Sequence, residues 1–482
     1  MMKSSLTRRL FIKRSALAVG TVSAARYLAF PSILSARQPG NTLNCVVIGC
    51  GGRGQTHLEA IRAQGQNLVA MVDPIDSQIA SSKKALQHKG ANVGQVQVFS
   101  DYRQMFDKIG KQIDAVFIAA PNHHHCRAAM LALEAGKNVY CEKPLTHDIA
   151  EARKLREEAA RHPKAATQMG NQGHCYDGYR RLCEFMAAGV IGNVTETHSW
   201  TDRANGGIGP RPPTLPAPPG VNWDSWIGPA PYRDYHSDLH PHEWHGWYDF
   251  GNGSIGNMGC HVLEGVFWAL KVEHPDSVEM EYVRGGSDER YPLGSRVRWD
   301  IPARGNMPAI KAHWYEGLNP TAAPNKFGRN HAAQGKDRNL PELARQLQAQ
   351  YPDEELLSGD SGTLYVGDKG VIFTATYGGT TANPMRIVPM EKMDQIKQPP
   401  RTLPRYAGPF ENFIETCKAG RTDTATPFEY GARLTEFCLL GNLAQHAGQG
   451  NKVTWDGPNM RVTNIPELNR WIKREDRKGW VA

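Results

Sequence analysis

The chain has 482 residues, of which 40% are apolar and 22% charged, with a formal net charge of +8. That length exceeds what one hydrophobic core ordinarily serves, so two domains are expected, and the balance of residue types is that of a soluble globular protein rather than a disordered one. Six of the eight excess positive charges (Lys3, Arg8, Arg9, Lys13, Arg14 and Arg26) fall in the first 36 residues, which hold no acidic residue, so the nearly neutral remainder excludes a nucleic-acid surface built on charge.

The opening residues read as an address. Thr7-Arg8-Arg9-Leu10-Phe11-Ile12-Lys13 resembles the twin-arginine export motif, with Ile where Leu is usual. A modest apolar stretch over 16–34 follows, broken by Arg26 and short of the roughly 20 apolar residues a membrane span needs. Residues 1–36 are therefore expected to be a signal peptide ending near Leu34-Ser35-Ala36, and the mature chain to be periplasmic or otherwise exported. No later apolar run is long enough to span a bilayer. The nine cysteines (45, 50, 126, 141, 175, 183, 260, 417 and 438) are scattered, odd in number and lack a C-x-x-C pair. They predict thiols, not a disulfide framework or a zinc knuckle.

From 43 to 170 short apolar runs alternate with helical periodicity. Strands are predicted over 44–49, 68–73, 96–99, 115–119 and 138–141, with helices over 55–64, 77–88, 102–108, 125–135 and 149–161. Buried strands alternating with helices give a parallel sheet with crossovers, so the fold class is α/β, opening with a doubly wound Rossmann domain over 43–170. Gly49-Cys50-Gly51-Gly52-Arg53-Gly54 follows the first strand and opens a helix, satisfying the G-x-G-x-x-G fingerprint. Gly49 permits the tight turn, Gly51 close backbone approach to a pyrophosphate, and Gly54 close helix–strand packing. Gly52 and Arg53 lie inside the same turn, and the helix N-terminus offers donors to phosphate. Asp73 ends the second strand at the distance where a carboxylate meets the adenosine ribose, favouring NAD over NADP because a 2′-phosphate would be repelled.

After about residue 170 the alternation stops. Residues 204–231 are rich in Pro and Gly and predict a long ordered loop. Strands without intervening helices are predicted over 277–283, 296–301, 310–315, 363–366 and 370–374, which indicates an antiparallel sheet. The polar stretch 319–360 reads as a flexible insertion, and helices over 407–419 and 427–447 follow. Residues 171–482 are assigned to one substrate-binding α+β domain that includes these helices.

Lys143, in Cys141-Glu142-Lys143-Pro144-Leu145, lies directly after a predicted strand, and the carboxyl ends of parallel strands face the ligand crevice. Together with Pro121-Asn122-His123-His124-His125 and Ala132-Leu133-Glu134-Ala135-Gly136-Lys137-Asn138-Val139, this segment resembles the signature of the glucose–fructose oxidoreductase / inositol dehydrogenase / MocA (Gfo/Idh/MocA) family. The likeness is strong in the first domain and looser to about residue 270. It implies a Rossmann domain followed by a domain with a largely antiparallel sheet, a substrate held between them, and a homo-oligomer. It implies that Pro121, Asn122, His125, Glu142 and Lys143 lie near the cofactor, with Lys143 hydrogen-bonded to the reacting hydroxyl and the Lys143–Pro144 peptide cis. A second match covers Gly253 to His261. Relatives often carry Asp four residues before the histidine on one helix, so the resemblance makes His261 the general base. Here Asn257 stands in place of that Asp, and an amide cannot stabilise imidazolium by charge. By position in the family, Asn171, His174 and Tyr179 approach the substrate.

Between 223 and 248 lie seven aromatic residues, Trp244 among them, together with His236, His240, His242 and His245. This mixture suits the C–H faces and hydroxyls of a pyranose, and equally suits an aromatic-cored loop or a subunit contact. No cysteine joins His240, His242 and His245, so no metal is expected. The leading expectation is an oxidoreductase that passes hydride between a sugar or cyclitol carbinol and tightly bound NAD. The alternative is an NAD-dependent glycoside hydrolase working by oxidation, elimination, addition and reduction, which needs no paired carboxylates. A cofactor-binding sensor without catalysis is the third reading, and the presence of Lys143 and His261 argues against it.

Overall fold

The computed structural model describes residues 42–239, 243–322, 332–381 and 383–480. The expected signal peptide over 1–36, and His240 and His242, lie outside the described residues. None of the described helices is long and apolar enough to cross a membrane.

Runs that are apolar on both faces form the first sheet. Its strands are β1 (Asn44–Ile48), β2 (Asn67–Val72), β3 (Gln97–Phe99), β4 (Ala115–Ile118), β5 (Asn138–Cys141) and β6 (Thr167–Met169), in the order β3-β2-β1-β4-β5-β6. All pairs are parallel. The order reverses between β1 and β4, and that switch opens a crevice at the carboxyl ends of the strands. Helices Arg53–Ala63, Asp76–His88, Tyr102–Ile109, Asn122–Glu134 and Ile149–Arg161 make the crossovers. The last is started by a capping box, in which Asp148 accepts from the Glu151 N–H at 2.7 Å and Glu151 accepts from the Asp148 N–H at 3.2 Å.

The second sheet has nine strands. They are β7 (Val194–Thr201), β8 (Ser277–Arg284), β9 (Gly294–Ile301), β10 (Ile310–Gly317), β11 (Ser361–Gly367), β12 (Gly370–Ala375), β13 (Arg386–Val388), β14 (Lys452–Asp456) and β15 (Arg461–Val462). The order is β13-β12-β11-β7-β10-β9-β8-β14-β15, antiparallel except for the pairing of β7 with β10. The polar stretch expected to be a flexible insertion contains helix Glu342–Gln350, which seats Leu343, Ala344 and Leu347 against Trp200, Leu364 and Phe373.

Two late helices tie the sheets together. Phe428–Ala447 is buried over most of its length between helix Ile149–Arg161 and strands β8 and β9, with apolar residues on several sides as a largely buried helix needs. Pro409–Lys418 returns to the first sheet, where Phe410 stacks on Tyr140 at 5.0 Å and Phe413 meets Phe117 edge-on at 5.4 Å. The sequence reading placed both helices in the second domain. Order along the chain carries no record of that return, and the core of the first domain is completed by residues 409–414.

Candidate active site

A cleft of about 650 Å³ runs along the carboxyl ends of the first sheet, within the size range of small-molecule sites. At one end it is lined by Asp73, Ser100, Asp101 and Tyr102, in the middle by the glycine turn, and at the other end by Lys143, Asn257 and His261. Gly49 adopts φ +84°, and a Cβ there would lie 2.5 Å from the Ala120 nitrogen on the neighbouring strand connection. A Cβ on Gly54 would lie 1.9 Å from the Gly49 carbonyl oxygen, so the turn and the helix close on each other as the fingerprint requires. Gly51 faces the side chain of Gln78.

Asp73 is buried and accepts from the backbone N–H groups of Cys50 at 2.8 Å and Ile75 at 3.0 Å. Burial pushes its pKa up to about 6, against those backbone donors. Glu142 reaches back beneath the turn, accepting from Arg53 Nε at 2.8 Å and meeting His57 Nε2 at 2.9 Å. Burial alone would raise the Glu142 carboxyl, but the Arg53 guanidinium and the His57 hydrogen bond hold it well below the usual carboxylate range. Burial lowers His57, so its bond to Glu142 is that of a neutral imidazole. Glu142 thus anchors the first residue of helix Arg53–Ala63 and also lines the cleft.

Pro121, Asn122 and His125 all line the cleft, but His125 is fully engaged, facing the carbonyls of Pro144 and Ala120 at 2.8 Å each. Asn122 donates to Asn252 at 2.9 Å. His123 and His124 both face the Trp226 carbonyl, at 3.1 and 2.9 Å. The histidine run is therefore a clamp that joins the first domain to the aromatic segment.

The end of the cleft that holds Lys143 is assembled from separate stretches of the chain. The Lys143–Pro144 peptide is cis, and Lys143 Nζ donates to the Asn257 carbonyl at 2.6 Å and to Asn257 Oδ1 at 3.3 Å. Burial lowers the Lys143 pKa, opposed by Glu142. Asn257 lies in a π-helical turn, Ile255–Gly259, that passes directly into the helical turn Cys260–Val262 carrying His261. Single π-turns often mark functional sites. Both Asn257 and His261 face the cleft. Burial first, then the charges of Lys143 and Arg53, hold His261 well below the ordinary imidazole range, so it is neutral near pH 7.

Asn171, His174 and Tyr179, expected to approach the substrate, sit behind His261 instead. Asn171 is fully buried, and its Oδ1 lies 3.0 Å from His261 Nδ1. His174 stacks on Trp268 at 3.7 Å and bonds to Glu264, while the Tyr179 hydroxyl donates to the His261 carbonyl. After β6 the chain turns under the helix of His261, and it is the neighbouring Gln172 that faces the cleft.

Of the aromatic segment, Trp226, Trp244 and His245 line the cleft, with Trp244 and His245 stacked at 3.6 Å. Trp223, Trp247 and Phe250 pack with Ile75 and Leu239 as a small core of their own. Among the described residues no group of three His, Cys, Asp or Glu side chains is placed to hold a metal.

Sequence reasoning missed Gln172, Arg203, Tyr377 and Trp480, which also line the cleft. Tyr377 has φ +61°, rare for a bulky side chain, and its ring meets His261 edge-on at 4.7 Å. The signal available was the following Gly378-Gly379 pair, which marks an irregular turn. Trp480 closes the adenosine end. Arg103 lies 3.5 Å from its ring and donates to the Gly479 carbonyl at 2.9 Å. Arg477 secures the same segment to Asp224 at 2.6 Å.

Residues 43–170 match the oxidoreductase family described as NAD-binding Rossmann fold (Gfo/Idh/MocA), and residues 195–289 match its C-terminal alpha/beta domain. The chain is 30% identical over 161 residues to an inositol 2-dehydrogenase of Salmonella paratyphi B, a stretch covering 33% of this chain and 45% of that protein. It is 26% identical over 163 residues to a glycosyl hydrolase family 109 protein of Solibacter usitatus, covering 33% and 36%. The match therefore spans less than half the length of these curated relatives. The fold is shared with the WlbA dehydrogenase from Bordetella pertussis, solved with NADH and UDP-GlcNAcA, at a TM-score of 0.55 and 14% identity over 86% of this chain and 99% of that one. Over residues 43–170 and 195–289, in that order, the chain matches the two domains of the Gfo/Idh/MocA oxidoreductase family.

Proposed function

We propose that the protein is an NAD-dependent oxidoreductase that converts a secondary hydroxyl of a sugar or cyclitol to a ketone. One observation carries this reading: an ammonium and a neutral imidazole, Lys143 and His261, face the same end of a dinucleotide-shaped cleft. Bound NAD supplies the hydride acceptor at its nicotinamide ring. The residues supply the rest. Lys143 Nζ holds the hydroxyl oxygen, and His261 accepts the hydroxyl proton at Nε2 as the C–H electron pair leaves carbon. The glycine turn and the N-terminus of helix Arg53–Ala63 receive the pyrophosphate, and Asp73 receives the ribose hydroxyls.

We propose NAD rather than NADP, because the Asp73 carboxylate would repel a 2′-phosphate. Only ionised Asp73 is a charged acceptor, so NAD affinity is expected to fall as the pH drops through about 6, by up to tenfold for each further unit. Titration calorimetry from pH 8 to 5 measures it. Asp73→Asn should flatten the profile and weaken binding, and a profile unchanged by that substitution removes Asp73 from the ribose site.

The test of the reaction is a panel of inositols, aldoses and aryl glycosides. Reduced nicotinamide forming only with added NAD⁺ establishes the dehydrogenase. Release of aglycone without net reduction establishes the second reading, a hydrolase that reuses resident cofactor. That reading is favoured by the likeness to the family 109 protein and by Trp480, which walls in the adenosine end. Export in the folded state would suit either enzyme only with the cofactor already aboard.

A further inference from the structure

Asn257 supplies no charge behind the proton acceptor, yet a carboxylate reaches His261 from another direction. Glu264 is fully buried, three residues beyond His261. One of its oxygens accepts from the Asn171 amide nitrogen, and the other accepts from the Tyr430 hydroxyl at 2.7 Å and faces His174 Nδ1. A carboxylate only accepts, so it fixes the orientation of the Asn171 amide, with Nδ2 toward Glu264 and Oδ1 toward His261. An oxygen in that place accepts a hydrogen from Nδ1 at 3.0 Å. The proton of the neutral ring is therefore on Nδ1, and Nε2 carries the lone pair.

We infer that Glu264 is a positioning residue for the oxidation, setting the tautomer of His261 through the amide of Asn171. The inference rests on the proposed role of His261 as proton acceptor. The carboxylate lies one amide away from the imidazole, and its work is orientation. The Tyr179 hydroxyl, on the His261 carbonyl, holds the backbone of the same residue. The relay joins the turn after β6, helix Glu264–Ala269 and helix Phe428–Ala447, so the base is braced by elements outside the cleft.

The consequence is a test by polarity. In Glu264→Gln the new amide keeps its carbonyl for Tyr430 and His174 and turns its nitrogen toward Asn171. Asn171 then flips, presents its own nitrogen to His261, and forces the proton onto Nε2. Turnover is expected to fall about a hundredfold, as when a general base is held in the wrong tautomer, with NAD affinity unchanged. When Asn171→Asp is combined with Glu264→Gln, the introduced amide donates to a carboxylate at position 171 that accepts from Nδ1, so the polarity at the histidine is restored. That double variant is expected to recover at least about tenfold over Glu264→Gln. Its acid limb should shift to higher pH, because a charge now sits beside the imidazole. A merely structural role gives no such recovery. Nitrogen-15 spectra of the wild-type protein with NAD bound, with the His261 signals assigned by His261→Gln, read the tautomer without reference to turnover. A proton on Nδ1 supports the relay even if the substrate is no carbinol. A proton on Nε2, or a double variant no faster than Glu264→Gln, overturns it.

Discussion

Lys143→Met is expected to lower turnover by about a hundredfold or more, the usual scale for a positioned acid or base, while the protein folds and binds NAD as before. The side chain makes two hydrogen bonds, both to Asn257, and its removal leaves an apolar chain of similar length in a buried slot. The informative readout is the pH profile. Lys143 is one of the charges that holds the His261 imidazole below its ordinary range. Without that neighbouring cation the protonated ring is less disfavoured, so the pKa of His261 rises and the acid limb of kcat/KM moves to higher pH. His261→Gln should lose a comparable factor and abolish that limb. Turnover near wild type in either variant would remove that residue from the reaction. A lowered rate with an unmoved acid limb in Lys143→Met would mean that Lys143 and His261 do not share one site.

The largest effect on stability is expected at Glu142. Glu142→Gln removes the charge that faces Arg53 and His57 and leaves the guanidinium held against an amide. Breaking a buried pair from one side costs about 3–5 kcal/mol. The lower end, about 3 kcal/mol, applies here because the Arg53 side chain keeps 33% of its surface open to solvent. The sign with pH follows from the depressed carboxyl. A group whose folded pKa lies below its unfolded value stabilises fully above the unfolded value, near 4.5 for glutamate, and loses that contribution as the pH falls toward the folded one. Urea unfolding should therefore separate wild type and variant by the full amount at pH 7, and the gap should narrow steadily below about pH 4.5. A gap that stays constant to low pH would show that packing, not charge, carries the effect.

The parts of the site that the sequence declares are those written in consecutive residues. The glycine turn, Asp73, Lys143 and His261 each sit in a local pattern whose geometry is fixed by strand, turn and helix, and all of them line one cleft. Glu264 carries no such pattern. Its link to His261 passes through Asn171, some 90 residues earlier, and a relay of that span exists only once the sheets have packed.

β7 escaped for a different reason. Its residues are largely polar, Val-Thr-Glu-Thr-His-Ser-Trp-Thr, yet it is a central strand. Two of its buried hydroxyls are satisfied across the sheet, Ser199 with Thr363 and Thr201 with Ser361, both at 3.0 Å. Hydrogen-bonded hydroxyls can be buried without penalty, and hydrophobic periodicity cannot see them. The aromatic segment failed in the opposite direction. Its composition suggests a sugar-binding wall, but most of its rings are spent on a core that holds the segment in place. Only position in the fold distinguishes the rings that face the cleft from those that support it.

Trp480 makes closure of the cleft depend on a distant part of the chain. The phosphate turn and the ribose acceptor are made within the first hundred residues, but the ring that walls the adenosine end is 407 residues beyond Asp73. Without that segment the first sheet still presents the glycine turn, but the cleft is open along one side. The groove is finished only when Arg103 and Asp224 receive the segment that carries Trp480.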